Sequence, residues 1–355
     1  MQTLNNTAYK LITDKKLNVV YFGGSVTHGQ GASNASLKTG TSWAAKVNQY
    51  LVNKYPEAKI NGYNAAIGGT GSYLGLFRSE RDVLPYCPDL VFIEFAVNDR
   101  YQGYTKEQAM YSTEAIIRKI NSKFPTADIV MLFTTDWFVF GTQYEALLAH
   151  KAVAEHYGIP HIDLGAALYT ELNGYRGESA EDEKWREYLT DIVHPADKGY
   201  KVYADAVIPW LDSLLPQNPR EAMAHVLPQP LSMAADNDTT TLYAEDIKAN
   251  DDWEVSEPID GTKSVMRCQN ALLPSASGAT LTLKFSGNTF GMGVVCKENA
   301  NVTVTVDGTT AKIAEKSAYN EVERFVFSGL SDSEHTATIH YGGPGTFAIG
   351  AIFIG

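Results

Sequence analysis

Two hydrophobic patterns divide the chain. Up to about residue 215, short continuous apolar runs alternate with stretches of helical spacing. Residues 17–22 (LNVVYF), 59–65, 89–95 (DLVFIEF), 128–133 (DIVMLF) and 161–164 have the length and composition of buried strands. Between and after them, residues 42–55, 106–124, 143–157 and 197–215 read as helices. In 106–124 the residues Met110, Ala115, Ile117 and Ile120 recur at near-helical spacing, and Gly158 and Pro160 close the helix at 143–157. This strand–helix alternation predicts a parallel sheet with helices on both faces.

Beyond that point the period becomes two. Leu281, Leu283 and Phe285 alternate with polar residues, as do Val302, Val304 and Val306, which run into the turn pair Asp307-Gly308. Phe325 and Phe327, then Ala337, Ile339 and Tyr341, continue the alternation. Between the two regimes, Pro216, Pro219, Pro228 and Pro230 precede a run of Asn, Asp and Thr. The predicted organisation is an α/β domain over 1–215, a proline-rich linker over 216–240 and an all-β sandwich over 241–355. No internal repeat is present.

Composition narrows the class. With 355 residues the chain is long enough for two domains, and 44% hydrophobic and 20% charged residues are globular values. The net charge is −12 and no basic patch forms, which disfavours nucleic acid and anionic membrane as partners. No apolar run approaches the roughly 18 residues of a membrane span. The first residues, MQTLNNTAYKLITDKK, lack the apolar core of a secretory signal. Cys87, Cys268 and Cys296 are odd in number and far apart. They fit a reducing, cytoplasmic setting and argue against a metal cluster.

Ligands of open α/β sheets bind at the carboxyl ends of the strands. Gly23-Gly24-Ser25-Val26-Thr27 follows the first strand, Gly68-Gly69-Thr70-Gly71 the second and Asn98-Asp99 the third. Asp191-Ile192-Val193-His194-Pro195 precedes the last helix. A serine, a glycine turn, an asparagine and an Asp-x-x-His are the parts of a nucleophilic acyl-transfer site. Each alone reads equally as a turn, a cap or a packing glycine. A second Asp-x-x-His, Asp332 to His335, falls in a polar turn of the β region and reads as coincidence. Asp191 and His194 differ by address, standing at the sheet edge one helical turn apart.

Together, GGSVTHG, NAAIGGTGS, VNDR and DIVHP resemble the four blocks of the SGNH (GDSL-type) hydrolase superfamily, in that family's order. The resemblance spans the first 215 or so residues and implies a flavodoxin-like sandwich with five parallel strands. It implies Ser25 as nucleophile and as backbone oxyanion donor, with Gly69 and Asn98 as further oxyanion donors. It also implies His194 as base with Asp191 behind it, and no cofactor for catalysis. Gly24 replaces the Asp of GDSL and Ala96 the usual glycine before the Asn block, variants similar to those of carbohydrate esterases rather than lipases. The chemistry agrees: a serine hydroxyl needs a base, an imidazolium needs a carboxylate, and an oxyanion needs preorganised donors.

Three rival functions are weighed. A dinucleotide-binding oxidoreductase has only the G-x-G-x-x-x-G of residues 69–75, after the wrong strand. A non-catalytic carbohydrate-binding protein would not need an intact Ser25, Asn98, Asp191 and His194. A lipase or thioesterase would need an apolar groove, whereas Arg100, Trp137, Trp185 and Tyr188 near the expected site are polar or aromatic and suit sugar rings. The β region resembles jelly-roll carbohydrate-binding modules, best family 35, which implies a possible Ca²⁺ site. An SGNH domain followed by such a module resembles carbohydrate esterase family 17. The resemblance implies removal of acetyl groups from mannan-type oligosaccharides, with xylan acetylesterase as the near alternative.

Overall fold

The computed structural model describes residues 3–232, 239–256, 270–296, 300–313 and 322–355. The chain divides into two compact units, Met1–Ala235 and Asp236–Gly355. Cys268 lies outside the described residues; Cys87 is exposed and Cys296 buried.

The first unit runs α1 (Asn5–Tyr9), β1 (Lys16–Gly23), α2 (Ser25–His28), α3 (Trp43–Lys54), β2 (Lys59–Asn64), α4 (Ser72–Asp82), β3 (Leu90–Glu94) and α5 (Ala96–Gln102). It continues with α6 (Lys106–Lys123), β4 (Asp128–Phe133), α7 (Glu145–His156), β5 (His161–Asp163), α8 (Leu164–Glu171), α9 (Glu183–Tyr188) and α10 (Asp197–Leu214). The five strands pair in parallel in the order β2-β1-β3-β4-β5, the flavodoxin-like order. Both faces are covered by helices, so every residue of β3 and β4 is buried and neither strand alternates.

On one face Val19, Tyr21, Phe92, Val130 and Leu132 pack with residues of α1, α3, α8 and α10. Tyr21 stacks on Phe92 at 5.1 Å, and Trp43 meets both rings edge-on. Each such pair adds roughly 0.5–1.5 kcal/mol beyond burial. On the other face Phe22 and Phe95 meet at 5.1 Å beneath α4 and α6. A capping box between Thr105 and Gln108 starts α6 and satisfies two otherwise unpaired amides.

Residues 216–232, expected as a linker, are bonded to the first unit along their length. Asn5 exchanges two hydrogen bonds with Arg220, and Asn6 with Met223. His225 Nε2 lies 2.9 Å from the buried Asp128 carboxylate, and buried Glu114 accepts from the backbone amides of Leu231 and Ser232. Most of these anchors use the segment's backbone, and Arg118 also donates to the carbonyl of Pro228 at 3.0 Å.

The second unit is all-β: β6 (Thr240–Tyr243), β7 (Trp253–Ser256), β8 (Ala271–Pro274), β9 (Thr280–Ser286), β10 (Thr289–Cys296), β11 (Val302–Val306), β12 (Thr309–Lys312), β13 (Val322–Ser328), β14 (Glu334–Tyr341) and β15 (Phe347–Ile354). A six-stranded sheet, β13-β10-β15-β8-β7 with β6 on β15, faces a four-stranded sheet, β12-β11-β14-β9. Phe290, Met292 and Ile349 of the first sheet share a core with Leu281, Val304 and Ile339 of the second. The β11–β12 hairpin turns at Asp307-Gly308, where φ is positive at both residues. Among the described residues no three His, Cys, Asp or Glu side chains converge on a common point.

His335 departs from its expected place in a polar turn. It is the second residue of β14 and is buried, bonding Asp307 Oδ2 at 2.5 Å and the Ser331 carbonyl at 2.7 Å. It shares the inward face of Ala337 and Ile339, and the same period of two extends to it.

Candidate active site

The site forms where β1, β2 and β3 end. Ser25 is the first residue of α2 and is buried, with Gly24 as the helix N-cap. Two supports fix this short helix. Tyr200 of α10 donates to the carbonyls of Val26 and Gln30, and Thr27 donates to Glu94 Oε2 at 2.8 Å. Glu94, at the end of β3, also accepts from Thr134 at 2.7 Å and so links α2 to the end of β4. Burial raises its carboxyl to about 7, although the two threonine hydroxyls pull the other way.

His194 Nε2 lies 2.7 Å from Ser25 Oγ, and His194 Nδ1 lies 2.6 Å from Asp191 Oδ2. The three side chains are thus in series, the order that the resemblance implied. Asp191 and His194 do not share a helix, however. They lie in a turn in which Asp191 Oδ1 accepts from the amides of Val193 and His194, both at 2.8 Å. Asp191 is partly open to solvent, its side chain 43% exposed. Burial raises its carboxyl, but hydrogen bonds from His194 and from the two amides outweigh that and hold it at about 2.

Asn98 reaches the same place from α5. A Cβ on Gly24 would stand 2.1 Å from Asn98 Oδ1, so a side chain at position 24 would push this amide from its place. The Asn98 carbonyl oxygen is buried with no hydrogen-bond partner among the described residues. The glycine turn closes the other side. A Cβ on Gly68 would lie 3.6 Å from Ser25 Cβ, and Gln102 Nε2 holds the Gly69 carbonyl at 2.9 Å.

A buried polar cluster locks these two blocks together. Asp99 Oδ1 accepts from the Ser72 amide at 2.6 Å, and its Oδ2 accepts from Ser72 Oγ at 2.6 Å and contacts His150 Nε2 at 2.7 Å. Arg78, buried in α4, donates to the carbonyls of Gly23 and Ala65, where β1 and β2 end. Sequence reasoning missed Asp99, His150, Arg78 and Glu94 as supports. Asp99 had one signal, its place beside Asn98 in VNDR; the others had none.

The expected substrate contacts separate. Trp185 is fully buried and offers no surface to a sugar ring. Asp182 caps α9, which turns the indole inward to donate to the Asp191 carbonyl at 2.9 Å. Trp137 is half-buried; its amide donates to the Ile192 carbonyl at 2.8 Å, and Arg176 lies 4.5 Å over its ring. Both tryptophans therefore hold the His194 loop. Arg100 pairs with the buried Asp136 at 2.7 Å. Tyr188 is buried.

Comparison with known proteins agrees with this geometry. A two-domain esterase active on acetylated mannans, co-crystallised with mannopentaose, superposes with a TM-score of 0.80 at 20% identity, covering 99% of this chain and 95% of its own. A second structure of a two-domain esterase active on acetylated mannans gives 0.80 at 21% identity, covering 98% and 95%. At this identity the likeness establishes the fold of the two units. No curated protein matches the sequence. The model of the GDSL-like lipase/acylhydrolase family matches residues 21–202, slightly more than half of the chain. The four sequence blocks, their convergence at one sheet edge and this match place the chain in the GDSL-like lipase/acylhydrolase family.

Proposed function

We propose that the protein is a serine esterase that removes acetyl groups from hemicellulose-type oligosaccharides through an acyl-enzyme. The observation that carries this reading is the unbroken series Ser25–His194–Asp191 at 2.7 and 2.6 Å. As Ser25 Oγ attacks the ester carbonyl, its proton passes to His194 Nε2, and Asp191 stabilises the imidazolium. The carbonyl electron pair moves onto oxygen, where the Asn98 amide and the Ser25 and Gly69 backbone amides would meet it. Collapse expels the sugar oxygen, which takes the proton from His194. Water, deprotonated by His194, then attacks the acetyl-serine and releases acetate.

The sugar part of the proposal is supported by the two-domain mannan esterases of like fold and by aromatic side chains along the sheet edge. Acetate release from acetylated glucomannan, xylan, chitooligosaccharides and pectin tests it, with products identified by mass spectrometry. Release from mannan- or xylan-type substrates is the expected result. Hydrolysis of long-chain acyl esters in preference to all four would move the protein to the lipase side of its family. A protein inert on every ester would leave the non-catalytic carbohydrate-binding reading.

A further inference from the structure

Three aromatic rings are prominently exposed along the carboxyl edge of the sheet. Tyr101 in α5 is 45% exposed, Phe138 after β4 is 53% and Tyr169 in α8 is 43%. All three belong to the β3-β4-β5 half. Arg100 lies between the first two, its guanidinium carbon 5.2 Å from the Tyr101 ring and 5.8 Å from that of Phe138. The fully buried Asp136 fixes this group. Its Oδ2 holds Arg100 at 2.7 Å, and its Oδ1 accepts from the Phe138 and Val139 amides at 2.7 and 3.1 Å. One carboxylate thus orients both the cation and the turn that carries Phe138, so little ordering remains to be done on binding.

Further along, a recess of about 130 Å³ is lined by Thr135, Gln143, Asp163 and Tyr169, among others. It is smaller than the roughly 300–1,000 Å³ of a cleft that encloses a whole small ligand, which suits it to one ring of a longer one. Tyr169 is clamped from the side. A Cβ on Gly141 would stand 2.3 Å from its ring and one on Gly174 would stand 2.8 Å from its hydroxyl, and both glycines have positive φ. Strand spacing puts the ends of β4 and β5 about 10–15 Å from that of β1, a span that an oligosaccharide of a few rings bridges. Charge selects among such ligands. Along the track itself the cations are neutralised by carboxylates, Arg100 by Asp136 at 2.7 Å and Lys151 by Asp163 at 2.9 Å, while Arg176 lies against the Trp137 ring and carbonyl.

We infer that the edge over β3, β4 and β5 is a one-sided track for a neutral oligosaccharide, running from Ser25 past Arg100, Tyr101 and Phe138 to a remote sugar subsite against Tyr169. The inference deepens the proposed function and rests on it for the ligand class. Apolar sugar faces stack on the three rings, while the Arg100 donors not committed to Asp136 meet hydroxyl groups.

Calorimetric titration of the full chain carrying Ser25→Ala tests the track without turnover. Mannopentaose and xylopentaose are the neutral probes, mannobiose and xylobiose the short ones, and pentagalacturonate the acidic one. A neutral pentasaccharide is expected to bind at least tenfold more tightly than its disaccharide and than the acidic probe. Adding Tyr169→Ala should weaken the pentasaccharide at least fivefold and the disaccharide less than twofold, with Tyr169→Phe restoring binding. Should Tyr169→Ala fail to fold, Phe138→Ala and Phe138→Trp provide the same test, the first weakening and the second holding or tightening pentasaccharide binding. No length dependence, preference for the acidic probe, or indifference to these rings would overturn the track. If the pentasaccharide binds as expected but wild-type protein releases no acetate from any acetylated sugar, the proposed function fails and the track stands.

Discussion

Asn98 combines chemistry and packing in one side chain. It packs against position 24, where a Cβ would stand 2.1 Å from its Oδ1, and under the proposed function its amide meets the oxyanion. Asn98→Ala is expected to lower kcat by about 10²–10³-fold with a smaller change in KM, because the contact strengthens in the transition state. An effect confined to KM, measured on an aryl acetate, would make Asn98 a substrate-positioning group. The two Asp-x-x-His histidines should diverge as well. His194→Ala should abolish hydrolysis and His335→Ala should spare it. His335 instead contributes to stability. Its hydrogen bonds to Asp307, first, and Ser331 raise its pKa, and the Asp307 carboxyl is lowered in turn. The raised histidine stabilises below the ordinary histidine range and loses this as pH rises through its folded pKa; the lowered aspartate loses its contribution as pH falls. Unfolding should therefore show the largest wild-type advantage over His335→Ala between about pH 4 and 6.5. An advantage that grows toward pH 8 would contradict this sign. At this scale the residues that converge, Ser25, Asn98, Asp191 and His194, were legible in the sequence because each follows a strand or precedes the last helix. Trp185 was misjudged because nothing local announced that Asp182 would cap a helix and turn the indole inward.

Among elements, β3 and α2 are joined by a carboxyl group. Glu94 ties Thr27, in the helix that begins with Ser25, to Thr134 at the end of β4. Its carboxyl, raised to about 7, binds a proton on folding between roughly pH 4.5 and 7. Its contribution to stability is fully present below the unfolded value and declines as pH rises through the folded one. Glu94→Gln removes the proton and keeps the shape, and a threonine hydroxyl can rotate to accept from the new amide. Wild type should lose up to about 3 kcal/mol relative to Glu94→Gln across that window in denaturant titrations. Parallel pH dependence in the two proteins would place the Glu94 pKa elsewhere. Elements with a clear period were legible, including β9, β11 and the helices α3, α6, α7 and α10. The central strands β10 and β15 carry no alternation, since all eight residues of each are buried, and so gave no signal of period two.

For the whole molecule, the proline-rich segment belongs structurally with the first unit up to Ser232. Composition marked it as a connection and could not reveal Glu114 and Asp128, which lie about a hundred residues earlier and hold it. Each unit has its own apolar core. Among the described residues of the second unit, Tyr243, Phe325, Phe327 and Tyr341 are aromatic side chains that are partly exposed. Removal of residues 236–355 tests its expected role in sugar binding directly. We expect kcat/KM on acetylated oligosaccharides to fall tenfold or more, about 1.4 kcal/mol, while aryl acetate hydrolysis persists in a fragment folded by circular dichroism. Equal loss on both substrates would make the second unit a support of the catalytic site. No loss on either would confine sugar recognition to the first unit.

The central claim is that Ser25 forms the acyl-enzyme, and an irreversible serine-directed fluorophosphonate tests it. Intact-mass and peptide mass spectrometry of the labelled protein should find one adduct, on Ser25, with esterase activity lost in step with labelling. The Ser25→Ala protein should fold, take no label and retain less than a tenth of the wild-type rate on 4-nitrophenyl acetate. A label on another residue, or a Ser25→Ala protein that hydrolyses the ester at more than a tenth of that rate, would contradict the assignment.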